Sequence, residues 1–199
     1  MVESKFLVVI DMQNDFITGV FGTEEAKAIV PKVVAKIKEA EDEFEPLFYT
    51  QDTHMEEYYQ DTAEANLPIH CILGTEGWLI EQSVQEAIDS FTKYCEHPYP
   101  FEKHTFGSCD LSCKINDLAS EILSSDLNFG VLPQTHKQVI EIVGLCTDIC
   151  VISNALMIKA AIPWAEIIVD ASACAGTTPE NHNKALDIME LNGIKVINR

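Results

Sequence analysis

Uninterrupted apolar runs alternate along this chain with stretches whose apolar residues recur every three to four positions. Residues 6–10, Phe-Leu-Val-Val-Ile, contain no polar position, which predicts a central strand of a parallel sheet, buried on both faces. Residues 26–41 place Ile29, Val30, Val33, Val34 and Ile37 on one helical face. A strand is expected at 46–50, then short helical or mixed structure at 78–80 and 84–91. Residues 94–96 read as a strand that Pro98 and Pro100 bring to an end. Ile115, Leu118, Ala119 and Ile122 predict a helix over 115–123. Strands at 139–143 and 166–170 flank a helix at 150–160. Thr178 then supplies an N-cap and Pro179 a first helical position for a helix over 180–191, which Gly193 stops before a last strand at 194–197.

Strand–helix alternation through all 199 residues predicts one α/β domain. The expected architecture is a three-layer, doubly wound sandwich with a mostly parallel sheet between two layers of helices. No repeat, low-complexity tract or linker interrupts it. Residues 51–76 are long and weakly periodic, and loops of that length in compact domains tend to carry function.

The net charge of −19 argues against nucleic-acid binding and against anionic membrane surfaces. It leaves a well-solvated exterior and a small-molecule partner as the expectation. Seven cysteines, an odd number without paired spacing, read as reduced thiols rather than a disulfide framework. Cys109/Cys113 and Cys146/Cys150 each resemble half a zinc site, but no second half follows. Glu3 and Lys5 lead into an apolar run too short for a membrane span or a secretory signal, so a cytoplasmic location is expected.

Chemistry-bearing residues collect at predicted strand ends, where open α/β sheets bind ligands. Gly144-Leu145-Cys146-Thr147-Asp148-Ile149-Cys150-Val151 follows one strand and opens one helix. Cys150 would then sit in a first helical turn, where free N–H groups and the helix dipole lower a thiol pKa. Taken alone, Cys150 also suits a buried structural thiol. Asp11 follows the first strand, as a general base or a turn cap. Lys103 follows the Pro-rich segment, as a solvated surface group or a cation that orients a carboxylate. Asp52 and His54 point the same way in extended backbone, His70 lies further along the same loop, and Glu64 could add an oxygen. These four either tie the loop together or bind one Zn²⁺, Fe²⁺ or Mn²⁺ ion with positions left for substrate.

Three blocks, Val9-Ile10-Asp11-Met12-Gln13-Asn14-Asp15-Phe16, Lys103 and residues 144–151, resemble the isochorismatase-like cysteine hydrolases over nearly the whole chain. Asp52-x-His54 and Pro68-Ile69-His70 resemble the metal-binding segment of the nicotinamidases within that superfamily. The resemblance implies an Asp11–Lys103–Cys150 triad and one divalent metal, zinc foremost, on Asp52, His54, Glu64 and His70. It also implies a cis peptide between Leu145 and Cys146, which turns the Cys146 and Cys150 N–H groups toward a shared oxyanion position. Phe16 matches the position that packs on the substrate ring, and Leu67 and Phe106 are expected beside it. Leu67 stands where nicotinamidases usually carry an aromatic residue. The implied reaction is hydrolysis of nicotinamide to nicotinate and ammonia through a Cys150 thioester, in NAD salvage, by an enzyme that is often a homo-oligomer. The alternatives are another cysteine hydrolase acting on a different small amide, an isochorismatase-type vinyl-ether hydrolase, or a silent oligomeric binding protein.

Overall fold

The structure, a computed structural model, describes residues 2–62, 64–91, 98–128 and 136–199; the strand expected at 94–96 lies outside them. Among the described residues, six strands form one parallel sheet: β1 (Val2–Ile10), β2 (Leu47–Asp52), β3 (Tyr99–Lys103), β4 (His136–Leu145), β5 (Glu166–Ala175) and β6 (Lys195–Ile197). Their order is β3-β2-β1-β4-β5-β6, so the winding direction reverses between β1 and β4. That reversal opens a crevice at the carboxyl ends of the strands.

The alternating sides of β1 explain its lack of polar positions. Phe6, Val8 and Ile10 enter one core with α4 (Cys109–Asn128), α5 (Ile152–Ala161) and α6 (Pro179–Leu191). Leu7 and Val9 enter the other with α2 (Glu24–Asp42) and α3 (Gln82–Ser90). Each such side chain contributes roughly 1.5–3 kcal/mol by leaving water, which makes a central strand costly to interrupt. The short α1 (Asn14–Ile17) follows β1 directly and buries Phe16 and Ile17. The expected three-layer α/β sandwich is thus the observed fold.

Several boundaries differ, each for a local reason. β3 runs through Pro100 instead of stopping before it, because β3 is an edge strand and a missing N–H there deprives no neighbouring strand. Residues 78–80, expected as short helical or mixed structure, form a turn bridged to Gln13. α4 starts well before residue 115, with the Ser108 hydroxyl accepting from Leu111 N at 3.1 Å as an N-cap. β5 continues past Asp170 as a run of small residues that pairs Gly144 with Cys174 and Leu145 with Ala175. Gly144 has φ of 118°, and a Cβ there would collide with the Ile10 carbonyl oxygen, so only glycine lets β4 approach β1 this closely. No helix among the described residues is long and apolar enough to cross a membrane.

Candidate active site and metal centre

Four adjacent strands deliver the candidate residues to one crevice. Asp11 follows β1, Asp52 ends β2, Lys103 ends β3, and Cys150 lies in the turn after β4. The register sets Lys103 directly beside Asp52 across the β2–β3 pair. Asp11 has φ of 45°, unusual for a residue with a side chain. Thr50 fixes that conformation: its hydroxyl accepts from Asp11 N at 3.1 Å and donates to Asp11 Oδ1 at 2.6 Å.

The turn bearing Cys150 is a π-helical turn over Thr147–Val151, and α5 begins only at Ile152. The helix expected from residue 150 therefore starts two residues later. Apolar spacing does not distinguish one wide turn from a regular one. The Cys146 carbonyl accepts from Ile149 N at 3.0 Å and Val151 N at 3.1 Å, which closes the turn. The Leu145–Cys146 peptide is cis.

Lys103 Nζ is the centre of the cluster. It lies 2.8 Å from Asp11 Oδ2 and 3.1 Å from Asp52 Oδ1, and it donates to Cys150 Sγ at 3.6 Å. All four side chains are buried. Burial opposes the Lys103 charge, but Asp11, Cys150 and Asp52 outweigh it and hold the pKa well above the ordinary lysine value. Burial raises the Asp11 pKa, with Lys103 acting against the rise. Burial also pushes the Cys150 thiol well above its usual range, with Lys103 again opposing. The lowered thiol pKa expected from a helix N-terminus is thus overturned. At this site desolvation exceeds the opposing pull of the Lys103 ammonium.

Asp52 also faces the other way. Its Oδ2 lies 3.0 Å from His54 Nε2 and 3.2 Å from His70 Nε2, while Glu64 Oε2 lies 3.5 Å and 3.1 Å from the same two nitrogens. One donor atom from each of these four buried residues falls within 4.8 Å of the others. These four nitrogen–oxygen separations of 3.0 to 3.5 Å are close to the roughly 3 Å that neighbouring ligands about 2.0–2.2 Å from one ion keep between them. A second set of contacts orients the His70 ring. His70 Nδ1 lies 2.8 Å from the Pro68 carbonyl and 3.0 Å from the Tyr59 hydroxyl, which assigns Nδ1 a proton and leaves Nε2 as the atom that would meet an ion. Glu64 Oε1 is buried without a hydrogen-bond partner, as a spare carboxylate oxygen at an ion site would be. The set suits a divalent cation. Without one, burial works against the His54 and His70 charges, yet Asp52 and Glu64 raise both to about 9.

Phe16, Leu67 and Phe106, the expected substrate-side residues, line one small cavity with Cys146, Cys150, Glu64 and His70. The cavity thus touches both the candidate nucleophile and two of the candidate ligands.

A family model for the isochorismatase domain matches residues 5–199. The chain belongs to the isochorismatase family. No curated protein matches the sequence. Among solved structures, this isochorismatase-family chain is similar to a nicotinamidase from Bacillus subtilis, at 24% identity with a TM-score of 0.75, over 97% of this chain and 98% of that one. It is similar to the pyrazinamidase of Pyrococcus horikoshii in complex with zinc, at 24% identity and a TM-score of 0.71, over 98% and 99% of the two chains. It is also similar to N-carbamoylsarcosine amidase from Thermoplasma acidophilum, at 23% identity and a TM-score of 0.63, over 97% and 95%.

The family member at hand uses further residues that sequence patterns did not single out. Gln13, fully buried, donates to the Asp52 carbonyl at 2.8 Å and accepts from Asp52 N at 2.7 Å, so it clamps the backbone that carries Asp52. Gln13 Nε2 also donates to the Trp78 carbonyl, and Trp78 Nε1 donates to Thr53 Oγ1, which gives that tryptophan a role in holding the loop. Asp148 accepts from Thr177 N at 2.8 Å and from Thr177 Oγ1 at 2.5 Å, tying the π-helical turn to the end of β5. His182 Nδ1 meets Thr147 Oγ1 at 2.8 Å. Phe21, a cavity residue without a sequence forecast, stacks on Phe16.

Proposed function

We propose that this isochorismatase-family hydrolase is a metal-containing amidase that converts nicotinamide to nicotinate and ammonia, with Cys150 as the nucleophile. One observation carries the reading. Lys103 joins Asp11 and Cys150 on one side to Asp52 on the other, and Asp52 is a member of the four-residue donor set. A cysteine hydrolase centre and a metal centre thus share a carboxylate. The similarity to nicotinamidases and to a zinc-bound pyrazinamidase supports the same choice. Zinc is the proposed ion, with iron and manganese as the other candidates.

The chemistry follows from the residues. Asp11, its proton affinity raised by burial, takes the Cys150 proton as sulfur adds to the amide carbon. The new C–S bond places negative charge on the amide oxygen, which the Cys146 and Cys150 N–H groups receive; one such donor is worth about 3 kcal/mol. Asp11 then gives its proton to the amide nitrogen, the C–N bond breaks, and ammonia leaves. Asp11 next takes a proton from water as its oxygen attacks the thioester carbon. The C–S bond breaks, the carboxylic acid departs, and Cys150 is reprotonated. Lys103 keeps Asp11 placed and balances charge throughout. A divalent ion on Asp52, His54, Glu64 and His70 would bind the ring nitrogen and so orient the carboxamide.

Ammonia release from nicotinamide, measured before and after chelation and with metal restored, tests the proposal. Release lost with chelator and regained with metal is expected. No release under any metal, from protein whose Cys150 still reacts with thiol reagents, would retain the cysteine hydrolase and discard nicotinamide.

A further inference from the structure

The cavity over Cys150 has a volume of about 20 Å³. That is room for about one water molecule, not for a six-membered ring. Cys150 itself is 4% exposed, so no ring reaches it until a wall moves.

The walls differ in what holds them. Phe16 belongs to α1 and is 5% exposed. His70 is fixed by Pro68, Tyr59 and the carboxylates of the donor set. Cys146 and Cys150 belong to the closed turn after β4. Phe21 is different: it is half-buried and lies in the irregular stretch 18–23 between α1 and α2. Its backbone N–H donates to the Asp15 carbonyl, but its ring is held by neighbouring rings. It stacks on Phe16 with centroids 6.0 Å apart and planes 15° apart. It also meets His70 edge-on, with centroids 4.9 Å apart. Phe21 thus fills a flat place bounded by an aromatic face on one side and a candidate metal ligand on another.

We propose that Phe21 is a replaceable plug: its ring occupies the place beside Phe16 and His70 that a planar substrate ring takes, and so it selects which molecules reach Cys150. An incoming aromatic ring regains the stack on Phe16 that Phe21 gives up, so it replaces Phe21 like for like. The Phe21 ring then turns toward solvent, which its half-exposed position allows. A small aliphatic amide makes no compensating stack and is turned away. The inference deepens the proposed amidase and rests on Cys150 as its reacting group.

The test reads access to Cys150 directly. Wild type and variants are alkylated with iodoacetamide and with its N-phenyl derivative, and each cysteine is followed by peptide mass spectrometry. The exposed Cys109 and Cys113 serve as internal references. Phe21→Ala is expected to speed Cys150 modification by about tenfold, the upper end of one ring stack. The larger gain is expected with the small reagent, because the aromatic reagent displaces Phe21 unaided. Phe21→Leu, a milder change that guards against misfolding, shows an intermediate gain, and Val20→Ala in the same stretch shows none. A Cys150 rate unchanged or lowered in both Phe21 variants, with Cys109 and Cys113 at wild-type rates, would make Phe21 a fixed wall and overturn the proposal. So would a Cys150 unreactive in every variant. Wild-type protein that hydrolyses no nicotinamide but shows these alkylation shifts would fail the amidase reading alone.

Discussion

Thr50 and Asp11 grip each other twice, hydroxyl to carboxylate at 2.6 Å and amide to hydroxyl at 3.1 Å. The pair holds a left-handed aspartate whose second oxygen is left to Lys103. Thr50→Val keeps the shape and removes both bonds, leaving a buried carboxylate oxygen without its donor. The cost is about 1–3 kcal/mol, which at this site appears as roughly a 10- to 100-fold fall in kcat. Thr50→Ser is expected to restore most of it. Steady-state kinetics alongside circular dichroism separate this positioning role from a loss of fold.

Cys150→Ala removes the sulfur and leaves the donor set untouched, because Lys103 and Asp52 stand between them. Turnover is expected to fall by about 10⁴-fold or more while metal content is unchanged. Cys146→Ala, in contrast, keeps the backbone N–H and is expected to retain most activity. Ammonia assays with elemental analysis of both variants check the contrast; equal losses would mean that the Cys146 thiol takes part.

Glu64→Gln keeps the size of the side chain and its approach to His54 and His70 but removes the charge. Metal affinity is expected to weaken by at least about tenfold, with activity recovered at high metal concentration. Titration with a competing chelator gives the affinity. An unchanged affinity would remove Glu64 from the ligand set.

The sheet carries a pH-dependent element remote from this crevice. Burial works to raise the Asp170 pKa, but hydrogen bonds from Ser172 and Asn198 and the Lys36 charge outweigh it and lower the value. A lowered folded-state pKa means that the unfolded chain binds the proton more readily. The contribution is therefore fully present above the ordinary aspartate value of about 3.8 and is lost as pH falls through the lower, folded-state value. Thermal melts from pH 6 down to pH 3 should show a declining Tm, and Asp170→Asn should flatten the part due to this residue.

Much of this was legible in the residues. Phe6 to Ile10 announced a doubly buried strand, and the fold made it so. Asp11 and Cys150 lie far apart in sequence, yet strand-end positions were enough to bring them into one crevice, and the family resemblance added Lys103. Asp52 and His54 were linked by simple alternation. What escaped was whatever depended on neighbours rather than spacing. The extension of β3 through Pro100 depends on its being an edge strand, a property of the assembled sheet. The raised Cys150 pKa depends on how completely that turn is covered. Gln13 and Thr50 act through contacts with residues 39 positions away, and no periodicity reports such pairs. Phe21 lies in a stretch with no regular period, so nothing marked its ring as part of the cavity.

Lys103 is carried by the edge strand β3, paired only with β2 among the described residues. Sliding an edge strand by one residue sends every side chain on it to the opposite face. Such a slip would leave the other five strands in place and turn Tyr99 and Phe101 away from the rim of one core, yet its main effect would be to withdraw the cation that Asp11, Asp52 and Cys150 share. The border of the sheet is therefore where this chemistry is easiest to extinguish while the architecture survives. An insertion or deletion within residues 99–103 is a simple route to a folded but inactive descendant.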